Sequence, residues 1–394
     1  HATLQGISPY AMLPSEWIQT ESSTVRDQLF PLLNSPDYYS IYPPVMQMLF
    51  TFSAWVGGDN VLHSIIALRM TVLLAEFGSL FFMVRLLEKW NMPKRNLMFY
   101  ALNPLVIAEF SGSLHTEAVM VFFLLAGLWF LTSTCPTPDP SPKGRGATAS
   151  TQRSIKETLP SWKGGVGGGV FLSSIAFGLS VGAKLLPLML LPFLLKRLGL
   201  KRMFVFSAIA IGVPLLLFVP FQCTDMWVNM QRSFQLYYAN FEFNGSIYYA
   251  IRAIGYQAVG YNIIADTAVW LPRVAAISIL VLAFVNRDRS INGLPLMFLL
   301  AWCIYYAVAN SVHPWYVVPV AALLPFVRMR FALVWLVLLP LSYHAYGVSE
   351  VNEQLWVVAL EYLPVYGYLA YELWTLRQRP ASSLKESRAP RPII

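Results

Sequence analysis

The chain has 394 residues, a formal net charge of +8, 56% hydrophobic and only 12% charged residues, with a mean hydropathy of +0.53. That composition excludes an ordinary soluble domain. The basic surplus sits in short loops beside apolar runs, so membrane topology and anionic headgroups account for it and nucleic acid is not called for.

Residues 1–40 are polar and punctuated by Pro9, Pro14, Pro31 and Pro36, which predicts a loop with short helices. The chain starts at His1, and Leu4 to Tyr10 lacks the features of a signal peptide, so it reads as one whose N-terminus is missing. Tyr42-Pro43-Pro44 opens an apolar run to Val56. This run is short of the about 20 residues a bilayer needs, which predicts a re-entrant or interfacial segment. Spans are expected at 61–84, 97–112 and 116–134, then two short helices over 168–183 and 185–196 meeting near Lys184 and Pro187. Single spans follow at 203–221, 266–285, 294–311, 314–327, 331–347 and 354–375. The sum is an all-α polytopic bundle of about eleven transmembrane helices.

Five regions follow: an outer segment 1–60, helices over 61–134, a disordered inside loop 135–167, helices over 168–376 with an outer loop 222–262, and an inside tail 377–394. The loop earns its assignment from Thr-Pro-Asp-Pro-Ser-Pro and Gly-Gly-Val-Gly-Gly-Gly, which bury little. Sidedness comes from the Lys/Arg clusters at 85–95, 143–163, 196–202, 287–289, 328–330 and beyond 377, which belong inside. The other side holds Glu109, His115, Glu117, the segment 221–261, His313 to Tyr316 and Glu350 to Glu353. Chemistry is expected on that outer face.

Four stretches there allow two readings each. Asn103-Pro104 breaks a helix and Gly112 permits a turn before His115 and Glu117; the pair either relays a proton and binds phosphate or is an ordinary polar helix mouth. Lys184 either meets a phosphate in a polar cavity or snorkels to headgroups. Phe243-Asn244-Gly245, followed by Tyr248, Tyr249 and Arg252, is either a sugar platform or an aromatic belt. His313-Pro314-Trp315-Tyr316 caps a helix whose positive end favours an anion, and its aromatic rings serve a belt equally well. Cys135, Cys223 and Cys303 are too scattered for a disulfide framework or a metal cluster, and neither CxxC nor HExxH occurs.

In this order, Gly6-Ile7-Ser8-Pro9-Tyr10, Ile41-Tyr42-Pro43-Pro44, Asn103-Pro104-Leu105 through His115-x-Glu117, Ala183-Lys184-Leu185-Leu186-Pro187, Phe243-Asn244-Gly245 and His313-Pro314-Trp315-Tyr316 form a set. The set resembles the bacterial polyprenyl-phosphate-mannose-dependent mannosyltransferases of the GT-C superfamily, and more loosely the catalytic subunit of the GPI mannosyltransferase. The resemblance implies a hexosyltransferase in the bacterial plasma membrane with an outward-facing site. A polyprenyl-phosphate sugar would be its donor and a glycan or lipid its acceptor.

The resemblance also implies roles. Glu117 and His115 would be catalytic, with Asp37 contributing. Lys184, His313 and Arg252 would hold the donor phosphate, and Tyr42, Asn244, Trp315 and Tyr316 the substrate. It implies that the family's principal acidic motif lies ahead of Gly6, before this chain begins, and Glu117 stands where the family usually has Asp. No clear motif encodes a metal site, and a divalent cation requirement stays open. Two other classes also stay open: a transporter or lipid flippase, which would repeat broken helices in its halves, and a non-catalytic subunit of a glycan-assembly complex.

Overall fold

A computed structural model describes residues 2–20, 24–33, 35–132, 166–346 and 352–378. Apart from 166–167 and 377–378, the expected inside loop 135–167 and tail 377–394 lie outside the described residues. The described residues are helical, joined by loops, with one isolated bridge between Phe243 and Ser311.

After short helices in the N-terminal segment, α1 (Pro44–Gly57) begins on Pro44, whose missing N–H costs nothing in a first turn. The Asn60 side chain accepts a hydrogen bond from the His63 N–H and so starts α2 (Val61–Lys89). With 29 residues, α2 is about 43 Å long, more than the hydrocarbon thickness of a bilayer. The chain then breaks up. Asn103 Oδ1 accepts from Leu105 N at 3.0 Å, Pro104 enters a short helical turn, and residues Ile107–Gly112 form a π-helix. The next helix, α3 (Glu117–Thr132), leaves at 114° to this segment.

Beyond the undescribed loop come α4 (Val166–Ala183) and a 3-10 stretch, Leu186–Leu194, which carries Pro187 and Pro192. Then follow α5 (Leu200–Phe218), α6 (Met226–Asn240), α7 (Ile247–Val259), α8 (Ile264–Val285) and α9 (Leu294–Val308). The last three are α10 (Pro314–Ala321), α11 (Phe331–Leu338) and α12 (Leu355–Gln378).

Among the described residues four helices are long and apolar enough to cross a membrane: Val61–Lys89, Leu200–Phe221, Ile264–Val285 and Ile291–Val308; the bent pair around 112–117 makes a fifth if counted as one span. The sequence-based expectation was about eleven crossings. Most of the others fall on helices that prolines shorten or convert to 3-10 turns, at Pro104, Pro187, Pro192, Pro319, Pro325 and Pro340. The run from Tyr42 becomes α1, packed on α2 and α4.

Helices α2, α3, α4 and α5 lie side by side in chain order. Small residues bring them close. A Cβ on Gly178 would come within 2.9 Å of Val213 Cβ, so only glycine lets α4 approach α5 this closely. Ser173 and Ser180 of α4 donate to the carbonyls of Gly127 and Met120 in α3, each at 2.8 Å. At the centre stands α10, with Val317, Val318, Val320 and Ala321 wholly buried against the 104–112 segment, α3 and α11. Basic loops meet one another. Lys196 donates to the Phe284 and Asn286 carbonyls, Arg197 reaches Ser290 O at 2.7 Å, and Arg330 lies 4.4 Å from the Phe99 ring.

Candidate active site

The break between the π-helix and α3 supplies the first groups. Freed from regular helix bonding, Glu109 projects from the π-helix and its Oε2 meets His115 Nε2 at 3.2 Å. The His115 backbone N–H also donates to Glu109 O at 2.9 Å, which folds the loop back on itself. Leu114, just before it, has φ of 61°. A residue with a Cβ pays about 1 kcal/mol or more in that left-handed region. Strain of this kind, next to a π-helix, is a recurrent mark of functional sites.

Lys184 arrives from the C-terminus of α4 and pairs with the Glu117 carboxylate at the start of α3. Its ammonium also sits 4.1 Å from the centre of the Tyr316 ring. Glu117 is nearly buried, with 9% of its side chain exposed against 26% for Lys184. The cation is thus the member of the pair that solvent, or an incoming anion, reaches.

His313 caps α10, and its ring belongs to a continuous pile. His115 stacks on Trp315 at 4.3 Å and 8°, Trp315 on His313 at 4.5 Å and 6°, and His313 on Phe243 at 4.5 Å and 19°. Tyr346 Oη lies 3.0 Å from His313 Nδ1. Burial pushes the His313 imidazole down to about 4, with Lys184 and His115 adding to the effect. Burial likewise lowers His115, opposed by the Glu117 charge and reinforced by Lys184. Both rings are therefore neutral near pH 7, and the His115–Glu109 contact is a hydrogen bond to a neutral imidazole.

The structure brings six expected residues together here: His115, Glu117, Lys184, His313, Trp315 and Tyr316. Trp315 has both faces covered by imidazoles, so only its edge can meet a substrate. The other four lie apart. Asn244 is wholly enclosed, its amide donating to both Glu361 oxygens at 3.2 Å, so it meets no substrate in this conformation. Arg252 is paired with Glu242 and lies 4.3 Å from the Tyr249 ring. Tyr42 is half exposed, packs edge-on against Phe50 at 5.3 Å, and lends its carbonyl to the Tyr10 hydroxyl. Asp37 is exposed, in the loop ahead of α1.

Sequence reasoning placed Glu109 on the same face as His115 and Glu117 but gave it no role, and it did not single out Tyr346 or Glu361. The signal for Glu109 was its place six residues before His115, across a Pro- and Gly-marked break. Among the described residues no group of three His, Cys, Asp or Glu side chains is arranged to hold a metal ion.

A helical membrane protein with a charged, aromatic-walled cluster in the elbow of a bent helix pair is the class that fold and site define. The chain belongs to the alpha-(1->6)-mannopyranosyltransferase family, whose N-terminal-domain model matches residues 1–199. That match takes in Glu109, His115, Glu117 and Lys184 and ends before His313. Alpha-(1->6)-mannopyranosyltransferase B of Corynebacterium glutamicum is 27% identical over 127 residues, 32% of this chain and 21% of the relative. The matched stretch thus spans about a fifth of that curated relative's length. No solved structure matches the chain.

Proposed function

We propose that the chain is a membrane mannosyltransferase that moves a mannosyl unit from a polyprenyl-phosphate donor to a glycan or lipid acceptor, with inversion, at the outer face of a bacterial plasma membrane. The alpha-(1->6) linkage is the one that the family and the corynebacterial relative carry in their names. One observation carries the reading: a half-open cation, Lys184, lies against a nearly buried carboxylate, Glu117, with two neutral imidazoles beside it.

A carboxylate tied to an ammonium is a poor base. A donor phosphate entering the cluster competes for Lys184, and Glu117 is then released to take a proton. The acceptor hydroxyl gives that proton to Glu117 while its oxygen attacks the anomeric carbon. The carbon–oxygen bond to the lipid phosphate breaks on the opposite face, and its electron pair leaves on the phosphate. Lys184 stabilises that charge, with one further donor from the hydrogen-bonded His313–Tyr346 pair, the His313 Nε2–H when its Nδ1 accepts from the Tyr346 hydroxyl. Glu109 holds the His115 ring in place through Nε2. The sidedness of the basic loops supports an outward site, and the absence of a Gly-rich nucleotide fingerprint in the sequence supports a lipid-linked donor.

The test is transfer by His115→Ala and Glu117→Ala variants. Both are expected to lose transfer while inserting into the membrane normally. Full activity in both overturns the assignment.

A further inference from the structure

Asn244 and Glu361 stand outside the proposed chemistry, yet they form one of the most enclosed polar contacts in the protein. Glu361 lies within α12 and is 1% exposed; Asn244 is 0% exposed. A carboxyl group in such a place costs several kcal/mol unless its oxygens are paired, and an apolar side chain would serve packing at least as well. Its oxygens are paired. Both accept from Asn244 Nδ2 at 3.2 Å, and Oε1 also accepts from Trp335 Nε1 at 3.0 Å.

Asn244 is held from further directions. Its N–H donates to a carboxylate oxygen of Glu353, two residues ahead of the start of α12. Its carbonyl accepts from Tyr362 Oη at 2.9 Å. Its φ is 50°, a region that Asn and Gly enter at little cost. Of its polar atoms only Oδ1 is without a hydrogen-bond partner among the described residues.

The neighbour on the other side is Phe243. Its N–H donates to Asn310 O at 3.0 Å and its carbonyl accepts from Val312 N at 2.7 Å, which ties it to the stretch of chain leading into His313. Its ring covers the outer face of His313, the last plate of the His115–Trp315–His313 pile. Fixing Asn244 therefore fixes the lid of the ring stack.

We propose that Glu361 and Asn244 are positioning residues: a buried latch on α12 that holds Phe243 over His313 and so aligns the ring stack of the transfer site. The proposal rests on the transferase reading for its effect on turnover, but the latch itself can be tested without turnover. Glu361→Gln should keep it. The oxygen of the new amide can accept from Trp335, and its nitrogen can donate to Asn244 Oδ1 once the Asn amide turns over, which uses the one atom now without a partner. Relative to Glu361→Gln, the double variant Asn244→Gly with Glu361→Gln removes only the Asn side chain, since glycine accepts the same backbone angle.

Both variants are compared with the wild type in two measurements on the full-length protein in detergent or vesicles, after its elution and helicity are shown unchanged. In the first, histidine-labelled protein is titrated by NMR. The groups facing His313 are Phe243, Trp315, Tyr316, Tyr346, Lys184 and His115, and none of them is altered. His313 should titrate near 4 in the wild type and in Glu361→Gln, and at least one pH unit higher in the double variant, where the ring is uncovered. In the second, transfer from polyprenyl-phosphate mannose should fall in kcat by on the order of tenfold or more in the double variant, and stay near wild type in Glu361→Gln.

Two results overturn the latch: an unmoved His313 titration in the double variant, or a Glu361→Gln variant as inactive as the double one, which would make the carboxylate charge itself the functional group. A wild type without transfer defeats the transferase reading alone, and the His313 titration still decides the latch.

Discussion

Replacing Lys184 by Gln removes the cation from Glu117 without changing the length of the contact much. Glu117 is left with 9% of its side chain exposed and no counter-charge from Lys184. Breaking a fully buried pair from one side costs about 3–5 kcal/mol, and the partial exposure of Lys184, at 26%, screens this one. A loss of about 2–3 kcal/mol is expected, including roughly 1 kcal/mol from the ammonium over the Tyr316 ring. Glu117→Gln strands the ammonium instead, at a smaller cost, because Lys184 can turn to solvent. The double variant carries two amides that can bond each other, so its cost should fall short of the sum of the single ones by about 2 kcal/mol. The four proteins are compared by SDS-driven unfolding in mixed micelles, followed by helicity. If the double variant's loss equals the sum of the single losses within about 0.5 kcal/mol, the two groups are not coupled and the account of a masked base is wrong. None of the three variants should transfer sugar.

Three further outcomes are expected. Because His313 is held neutral below its ordinary value of 6.5, down to about 4, the unfolded chain binds its proton first as pH falls. Its contribution is complete above pH 6.5 and is lost progressively toward pH 4, at up to about 1.4 kcal/mol per pH unit; His313→Gln should flatten that part of the stability profile, and parallel curves for the two proteins would contradict it. Leu114→Gly should be more stable than Leu114→Ala by about 1 kcal/mol, because both lose the side chain and only glycine relieves the positive φ; equal unfolding midpoints would remove the strain argument. Gly178→Ala should cost about 1–3 kcal/mol, since its Cβ meets Val213 Cβ at 2.9 Å and Ala210 O at 3.1 Å, while Gly168→Ala, with nothing within 4 Å, should cost nothing measurable in the same assay.

The helices were legible where the apolar period ran uninterrupted: α2, α5, α8 and α9 begin and end within a few residues of the expected spans, apart from the C-terminal end of α2, which runs on to Lys89. They were less legible where proline intervened. Composition around Pro187, Pro192, Pro319 and Pro325 is as apolar as any span, and only the backbone reveals 3-10 turns and shortened helices there in place of unbroken α-helix. Of the site, the individual groups could be read, because an ionisable residue at the mouth of a membrane helix stands out against its surroundings. Their partners could not. Lys184 and Glu117 are 67 residues apart, and nothing local to either names the other. Asn244 read as a turn residue exposed to substrate because Asn-Gly signals a turn; the chain does bend there, with a positive φ at Asn244, but α12 lies across it, with Glu361 117 residues away. The ring stack draws on three separate segments, and each aromatic alone looks like an interfacial belt.

The central claim is sugar transfer from a lipid-linked donor at this cluster. Full-length protein in sealed proteoliposomes would be given a membrane glycan extract and radiolabelled mannose, either on polyprenyl phosphate or on a nucleotide. Label passing to the acceptor from the polyprenyl phosphate alone, and lost in Glu117→Ala, is the predicted result. Folded protein that transfers from the nucleotide sugar, or from neither donor, would contradict it.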